Sequence, residues 1–70
     1  MEYYDMNMQK ILPGDVLKFD NGNEYLVYYY DNHFVIQSIK KYSLSFNLNQ
    51  LAPTGRVSAA EKMFNIFNIS

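Results

Sequence analysis

Residues 16–36 read VLKFDNGNEYLVYYYDNHFVI and decide the fold, because apolar and aromatic stretches alternate there with two short turn sequences. Asn21-Gly22 is typical of a two-residue hairpin loop, since both residues tolerate the positive φ angles of a type I′ turn. Asp31-Asn32 can close a second tight turn for a similar reason. The stretch therefore predicts three antiparallel strands joined by two hairpins.

Loop length also predicts which residues face each other across these strands. The first loop predicts the pairs Leu17 with Leu26, Lys18 with Tyr25 and Phe19 with Glu24. The second loop predicts the pairs Tyr29 with Phe34, Tyr28 with Val35 and Val27 with Ile36. One face of the sheet would then carry Leu17, Phe19, Leu26, Tyr28, Tyr30, His33 and Val35. Both faces are apolar, which favours a sheet that curls on itself over a flat sheet with one wet side.

The segments that flank residues 16–36 add further elements. Apolar and polar residues alternate over residues 42–49, which predicts a half-buried strand with Tyr42, Leu44, Phe46 and Leu48 on one side. A similar alternation over residues 4–9 is compatible with one more strand. The predicted meander therefore has four or five strands.

The C-terminal segment has the pattern of a helix. Ser58 and Glu61 have the spacing of a capping box. An apolar stripe follows at helical spacing, formed by Ala60, Met63, Phe64 and Phe67. We therefore expect a helix over residues 58–68, either packed on the sheet or projecting from it, while residues 64–69 can also be read as a strand.

Length and composition limit the organisation of the chain. Its 70 residues predict a single small domain over 1–70, with the meander in 12–49 and the helix in 58–68. Hydrophobic residues make up 49% and charged residues 19%, as in folded globular proteins. The sequence has no cysteine, no signal-peptide pattern and no apolar run that could span a membrane. We therefore expect a cytoplasmic protein without a membrane partner.

The order of motifs resembles a known family. Pro13-Gly14-Asp15-Val16, the Asn-Gly hairpin and Tyr25-x-Val27 resemble the opening of SH3-like small β-barrels, over residues 12–49. The resemblance implies a mainly β fold, a small antiparallel meander curled into an SH3-like barrel with a C-terminal α-helix. It also implies a binding scaffold, although the absence of tryptophan departs from SH3 domains that bind proline-rich peptides.

Catalytic patterns are missing from the sequence. His33 is the only histidine, and its neighbour Asp31 lies in a predicted turn. The serines lie in an alternating strand or at a cap, and the three glycines are scattered turn residues. We therefore expect no enzymatic activity, no cofactor and no metal site.

Aromatic residues carry the functional hypothesis. Three consecutive tyrosines in a strand alternate between its faces, so at least one ring points away from the core unless the helix covers it. The candidate protein-binding residues are Tyr28, Tyr30, His33 and Phe19. We expect a non-enzymatic interaction module that binds a protein or a second copy of itself. Asparagine recurs beside many Tyr, Ile, Lys and Phe residues, a usage that AT-rich genomes and their phages favour. This composition and the brevity of the chain suggest a phage or mobile-element accessory protein that inhibits a host factor.

The alternative hypothesis is binding of single-stranded nucleic acid. Aromatic rings near cations could stack on unpaired bases, and the candidate residues are Lys40, Lys41, Tyr42 and Arg56. The net charge of −1 and the lack of a larger basic cluster disfavour this alternative.

Overall fold

The computed structural model of the protein describes residues 2–41 and 44–68. In chain order the elements are β1 (Asp15–Lys18), β2 (Glu24–Tyr30), β3 (His33–Ser38), β4 (Ser45–Asn47), α1 (Leu48–Leu51), a 3₁₀ helix (Ala52–Thr54) and β5 (Glu61–Asn65). The strands form one antiparallel sheet in the order β4-β3-β2-β1-β5. The mainly β prediction is confirmed. The fold is compatible with a curled sheet, although β4 and β5 lie at its two edges and the sheet is not closed.

The hairpin between β2 and β3 forms as predicted. Asp31 and Asn32 have φ angles of 51° and 66°, the left-handed values of a type I′ turn. The turn sets the predicted register, with Tyr30 opposite His33 and Tyr29 opposite Phe34. Because the twist of a type I′ turn matches that of the strands, this hairpin end is well defined.

The hairpin between β1 and β2 differs from the prediction by one residue. The N–H of Phe19 donates to the Asn23 carbonyl, and the N–H of Gly22 donates to the Phe19 carbonyl, so the loop has three residues. Only Gly22 of this loop has a positive φ, at 85°. The Asn21 side chain accepts a hydrogen bond from the N–H of Asn23, which satisfies the loop without a left-handed Asn21. A three-residue loop with one left-handed glycine results.

This one-residue shift moves the side chains of β1 to the opposite face relative to β2. Leu17 pairs with Tyr25 rather than Leu26, so Leu17 and Phe19 lie on the same face as Tyr25 and Val27. That face carries the core, which consists of Ile11, Leu17, Phe19, Tyr25, Val27, Ile36, Leu48, Val57 and Ala60. The predicted pairs across the first hairpin are therefore wrong, and Leu17 of β1 and Phe19 of the adjoining loop contribute to the core.

The predicted C-terminal helix over 58–68 is also wrong, because residues 61–65 form β5 and pair with β1. Ser58 does not cap a helix: its hydroxyl donates to the carbonyl of Gly55. β1 offers an unpaired edge, and pairing with that edge outweighs the helical spacing of the apolar residues. The register shifts between Val16 and Leu17, which places a bulge in the β5 segment opposite them.

Two other predicted strands are shorter or absent. The strand over 42–49 is confirmed only as β4, because α1 begins at Leu48, whose side chain is fully buried in the core. Tyr42 lies outside the described residues. Residues 4–9 form a loop closed by a single bridge between Tyr4 and Lys10, not a strand. In the described part of the chain, no helix combines the length and the apolar character needed to cross a membrane.

Candidate functional site

The end of the β2–β3 hairpin exposes aromatic rings on both sides of the sheet. We call residues 29–34 the hairpin tip. Tyr29 is 55% and Tyr30 67% exposed. Because successive side chains of a strand point to opposite faces, Tyr29 lies on the core side and Tyr30 on the outer side. The hairpin therefore extends past the core and leaves two tyrosine rings in solvent.

A recess of about 230 Å³ opens on the core side of the hairpin tip. It is lined by Tyr3, Tyr29, Asn32, His33, Phe34 and Asn49, and we call it the aromatic recess. The Phe34 ring is nearly perpendicular to two neighbours: the interplanar angle is 85° with Tyr3, at 6.0 Å between centroids, and 81° with Tyr29, at 5.1 Å. Edge-to-face contacts of this kind stabilise ring positions.

Tyr3 and Phe34 connect the recess to the core, since both pack against the buried cluster. The N–H of Ile11 donates to the carbonyl of Tyr3, so the backbone next to the Tyr3 ring is held in place. Tyr29 packs on Phe34 from the solvent side. The recess is therefore bounded by two supported rings and one exposed ring.

The outer face of the sheet is apolar in its middle, while Lys18, Glu24 and Gln37 also lie on it. Val16 pairs with Leu26 on one side and with Phe64 on the other, and Tyr28 faces Val35. Both helical segments pack on the core side through Leu48, Leu51 and Ala52. Within the described chain, therefore, neither helical segment covers this face. Phe64 is 50% exposed, whereas Val16 is only 2% exposed beneath its neighbours.

Three of the four predicted protein-binding residues share this outer face. Tyr30 and His33 form a cross-strand pair, and Tyr28 lies two residues before Tyr30. Phe19 lies instead on the core side, 3% exposed, with its ring 5.1 Å from that of Tyr25. Phe19 therefore does not share the surface of the other three residues, because the three-residue loop moves it to the core side.

Sequence analysis missed the aromatic recess. Alternation places Tyr29 and Phe34 on one sheet face with Val27 but does not show whether that face is the core; in the structure it is the core side, and Tyr29 at the strand end is 55% exposed. Tyr3 reaches the recess from the N-terminal segment and lies just before the strand predicted over residues 4–9. The three tyrosines immediately before the turn could have indicated exposed rings at this position, because side chains next to a turn lie near solvent.

The predicted nucleic-acid-binding residues lie on separate segments. Lys40 and Lys41 are exposed after the end of β3. Arg56 lies beyond the 3₁₀ helix, with its guanidinium 5.9 Å from the centroid of the Phe19 ring. Since Tyr42 is not among the described residues, the structure places three of the four. The β2–β3 hairpin, residues 24–38, contains Glu24 and Asp31 but no lysine or arginine, and Lys18 of β1 lies opposite Glu24.

Two buried aspartates are occupied by structural contacts. Asp5 is 1% exposed and accepts hydrogen bonds from the backbone N–H groups of Asn7, Gln9 and Lys62. Burial acts to raise the pKa of the Asp5 carboxyl, but the three N–H donors and the Lys62 charge outweigh burial and hold that pKa below its usual value. A carboxylate so engaged is a structural acceptor.

Asp15 is fully buried and has three partners. It accepts hydrogen bonds from the N–H of Leu12, at 2.7 Å, and from the Asn65 amide, also at 2.7 Å. Its Oδ2 atom lies 3.3 Å from the Nζ atom of Lys62. Asp15 therefore joins β1 to β5.

Comparison of the chain with protein families, with curated proteins and with solved structures found no match. The functional proposal therefore rests on the geometry of the hairpin tip and of the outer face.

Proposed function

We propose that this protein is a non-enzymatic interaction module that binds a protein partner with the hairpin tip and the adjoining outer face. The observation that carries the proposal is the exposure of Tyr29 and Tyr30, at 55% and 67%, on a hairpin fixed by a type I′ turn. Tyrosine contributes a large contact area with little loss of conformational entropy and is enriched at binding hot spots.

The outer face enlarges this contact surface. Tyr30 and His33 lie at the end of the hairpin, and Tyr28 with Val35 continues the same face toward the middle of the sheet. Val35 is already buried, so a partner that covers this face would shield mainly the exposed rings of Tyr30 and Phe64 from water, and burial of apolar area is the main favourable contribution to association. The shape also suits binding, because the rings project from paired strands and not from a loose loop.

The resemblance of residues 12–49 to SH3-like barrels supports the same proposal, since such small β domains serve as binding scaffolds. We propose further that the chain is a phage or mobile-element accessory protein and that its partner is a host factor. This part of the proposal is supported by the composition of the sequence, which is rich in Asn, Tyr and Ile. A cytoplasmic location fits the absence of cysteine from the sequence.

Co-purification from the native host, followed by mass spectrometry, tests the proposal. Three tagged proteins are compared in nuclease-treated lysate: the wild-type chain, Tyr30→Thr and Tyr4→Thr. Tyr4 is the matched control, a 40% exposed tyrosine outside the hairpin tip. We expect a partner that is retained by the wild-type chain and by Tyr4→Thr, and is at least tenfold depleted with Tyr30→Thr.

A second measurement covers self-association. Sedimentation velocity of the purified chain shows whether the partner is a second copy, in which case Tyr30→Thr lowers the oligomer fraction and Tyr4→Thr does not. The same bound proteins and the same oligomeric state for all three chains would contradict the proposal.

A further inference from the structure

We propose that the aromatic recess binds a positively charged side chain, an arginine or a lysine of the protein partner. The inference rests on the proposed function, because the cation is assigned to the protein that the hairpin tip engages. It adds the chemistry of the partner, which the exposure of Tyr30 alone does not specify.

Ring geometry is the first argument. In an edge-to-face pair the two rings form a T, and the corner of a T is bounded by one face of each ring. Tyr29 and Phe34 meet at 81°, with their centroids 5.1 Å apart, and both line the recess. A group seated in this corner therefore contacts two π faces. The faces of aromatic rings carry partial negative charge and attract cations within about 6 Å of the ring centroid.

Charge is the second argument. Asp31 is exposed and precedes the lining residue Asn32 in the turn. None of the ion pairs among the described residues involves Asp31, whereas Glu2 is paired with Lys10, and Asp15 with Lys62. Residues 29–34 contain Asp31 and no lysine or arginine, so Asp31 is the charged carboxylate at the hairpin tip. A cationic partner group complements this charge.

The polar lining is the third argument. Asn32 and Asn49 line the recess, and neither side chain makes a hydrogen bond within the described chain. Their amide oxygens can accept from the N–H groups of a guanidinium or an ammonium. The recess has no lysine or arginine in its lining that would pair with a phosphate or a carboxylate. An anionic ligand, including a nucleic-acid backbone, is therefore disfavoured at this position.

A pair of probes of matched shape separates charge from apolar contact. Choline and 3,3-dimethylbutan-1-ol have similar volumes, but only choline is positively charged. Each is titrated into the folded wild-type chain, and the ring resonances of Tyr29 and Phe34 are followed by NMR. One ring face contributes about a two- to fivefold gain in affinity for a cation at an exposed site. With two faces and Asp31 nearby, we expect choline to bind at least fivefold more tightly than its neutral analogue.

Three variants locate the effect. Tyr29→Leu removes one ring face and keeps an apolar side chain, so choline affinity should fall at least threefold. Tyr4→Leu is the matched control, because it removes a 40% exposed tyrosine that does not line the recess and should leave choline affinity unchanged. Asp31→Asn keeps a residue that tolerates positive φ, removes the charge and should lower affinity about twofold.

The outcomes are distinct for the two proposals. Equal affinities for choline and its neutral analogue, or no resonance shift at tens of millimolar choline, would overturn the cation site. A partner depleted by Tyr30→Thr in the same protein would still support the proposed function. Conversely, choline binding in a chain that captures no partner would support the recess and contradict the interaction module.

Discussion

The β5 edge and the hairpin tip are held in place by different forces. β5 is tied to the N-terminal half by buried polar contacts: Asp5 accepts from the backbone of Lys62, and Asp15 binds the side chains of Lys62 and Asn65. The hairpin tip has strand pairing and ring contacts, while two of its rings remain in solvent. Buried polar contacts thus fix the C-terminal strand, whereas strand pairing and ring contacts fix the hairpin tip; exposed rings occur in both regions, with Phe64 and Phe67 at the β5 edge.

This difference separates residues for stability from residues for binding. A buried carboxylate is favourable only when its partners are present, so the β5 edge is sensitive to any loss of a partner. An exposed ring has little effect on folding, so the hairpin tip is free to serve a partner. Substitutions at the two regions should therefore act on different measurements.

The largest expected effect is that of Asp15→Ala. The substitution leaves Lys62 without its carboxylate and the Leu12 N–H without an acceptor, in a fully buried position. Loss of one partner of a buried pair destabilises proteins by about 3–5 kcal/mol. A chain of this length has a total stability on the order of 5 kcal/mol. We therefore expect Asp15→Ala to be largely unfolded at 25 °C, as measured by circular dichroism and urea titration.

Asp15→Asn is the matched control for Asp15→Ala, because it keeps the volume and one acceptor oxygen. It should retain part of the lost stability. If Asp15→Ala lowered the free energy of unfolding by less than about 1 kcal/mol, β5 would not depend on this carboxylate, and the contrast with the hairpin tip would fail.

Asp5→Asn should have the next largest effect. Oδ1 of Asp5 accepts from Asn7 and Gln9, and Oδ2 accepts from Lys62, so an amide would turn its NH₂ toward one of these donors. An unsatisfied buried donor destabilises by about 1–3 kcal/mol, which urea titration at neutral pH would measure.

The same contacts make stability depend on acid. The folded-state pKa of Asp5 lies below its unfolded-state value of ~3.9. The Asp5 carboxylate therefore makes its full contribution to the free energy of unfolding at pH values above the unfolded-state pKa. The contribution is lost as the pH falls through the folded-state pKa. The stability difference between wild type and Asp5→Asn should therefore shrink in acid. A difference independent of pH would contradict the assigned role of the carboxylate.

Gly14→Ala tests the β5 edge at a third position. Gly14 has a φ of 90°, and a methyl group there would overlap the ring of Phe67. Gly22 has a φ of 85° with open space around it, so Gly22→Ala isolates the conformational strain. We expect losses of about 2 kcal/mol for Gly14→Ala and about 1 kcal/mol for Gly22→Ala by urea titration. Equal losses would indicate that Phe67 moves freely and does not contribute to this edge.

Local sequence patterns predicted the parts of the fold that depend on local contacts. Asp31-Asn32 set the second hairpin, because the turn and the strand register are determined within a few residues. The first hairpin has the predicted position but not the predicted register. The Asn21 side chain accepts a hydrogen bond from the N–H of Asn23, and the loop has three residues where two were predicted. The loop sequence alone allows either length.

The C-terminal strand could not be predicted from its own residues. Its backbone and side-chain partners lie far away in the sequence: Lys62 is 57 residues from Asp5, and Asn65 is 50 residues from Asp15. The helical stripe formed by Ala60, Met63, Phe64 and Phe67 is a local signal, and tertiary pairing with β1 overrode it. The aromatic recess was missed for the same reason, because Tyr3 joins it from a distant segment.

The smallest expected effects lie at the hairpin tip. Tyr30→Thr keeps a residue suited to strands and removes a ring that is 67% exposed, so the free energy of unfolding should change by less than about 0.5 kcal/mol. Tyr29→Thr also loses the edge-to-face contact with Phe34, and this loss should lower the free energy of unfolding by about 1 kcal/mol. Urea titration of both variants beside wild type measures this difference. A loss above 2 kcal/mol for Tyr30→Thr would make that ring part of the stabilising core, and the division between a β5 edge for stability and a hairpin tip for binding would not hold.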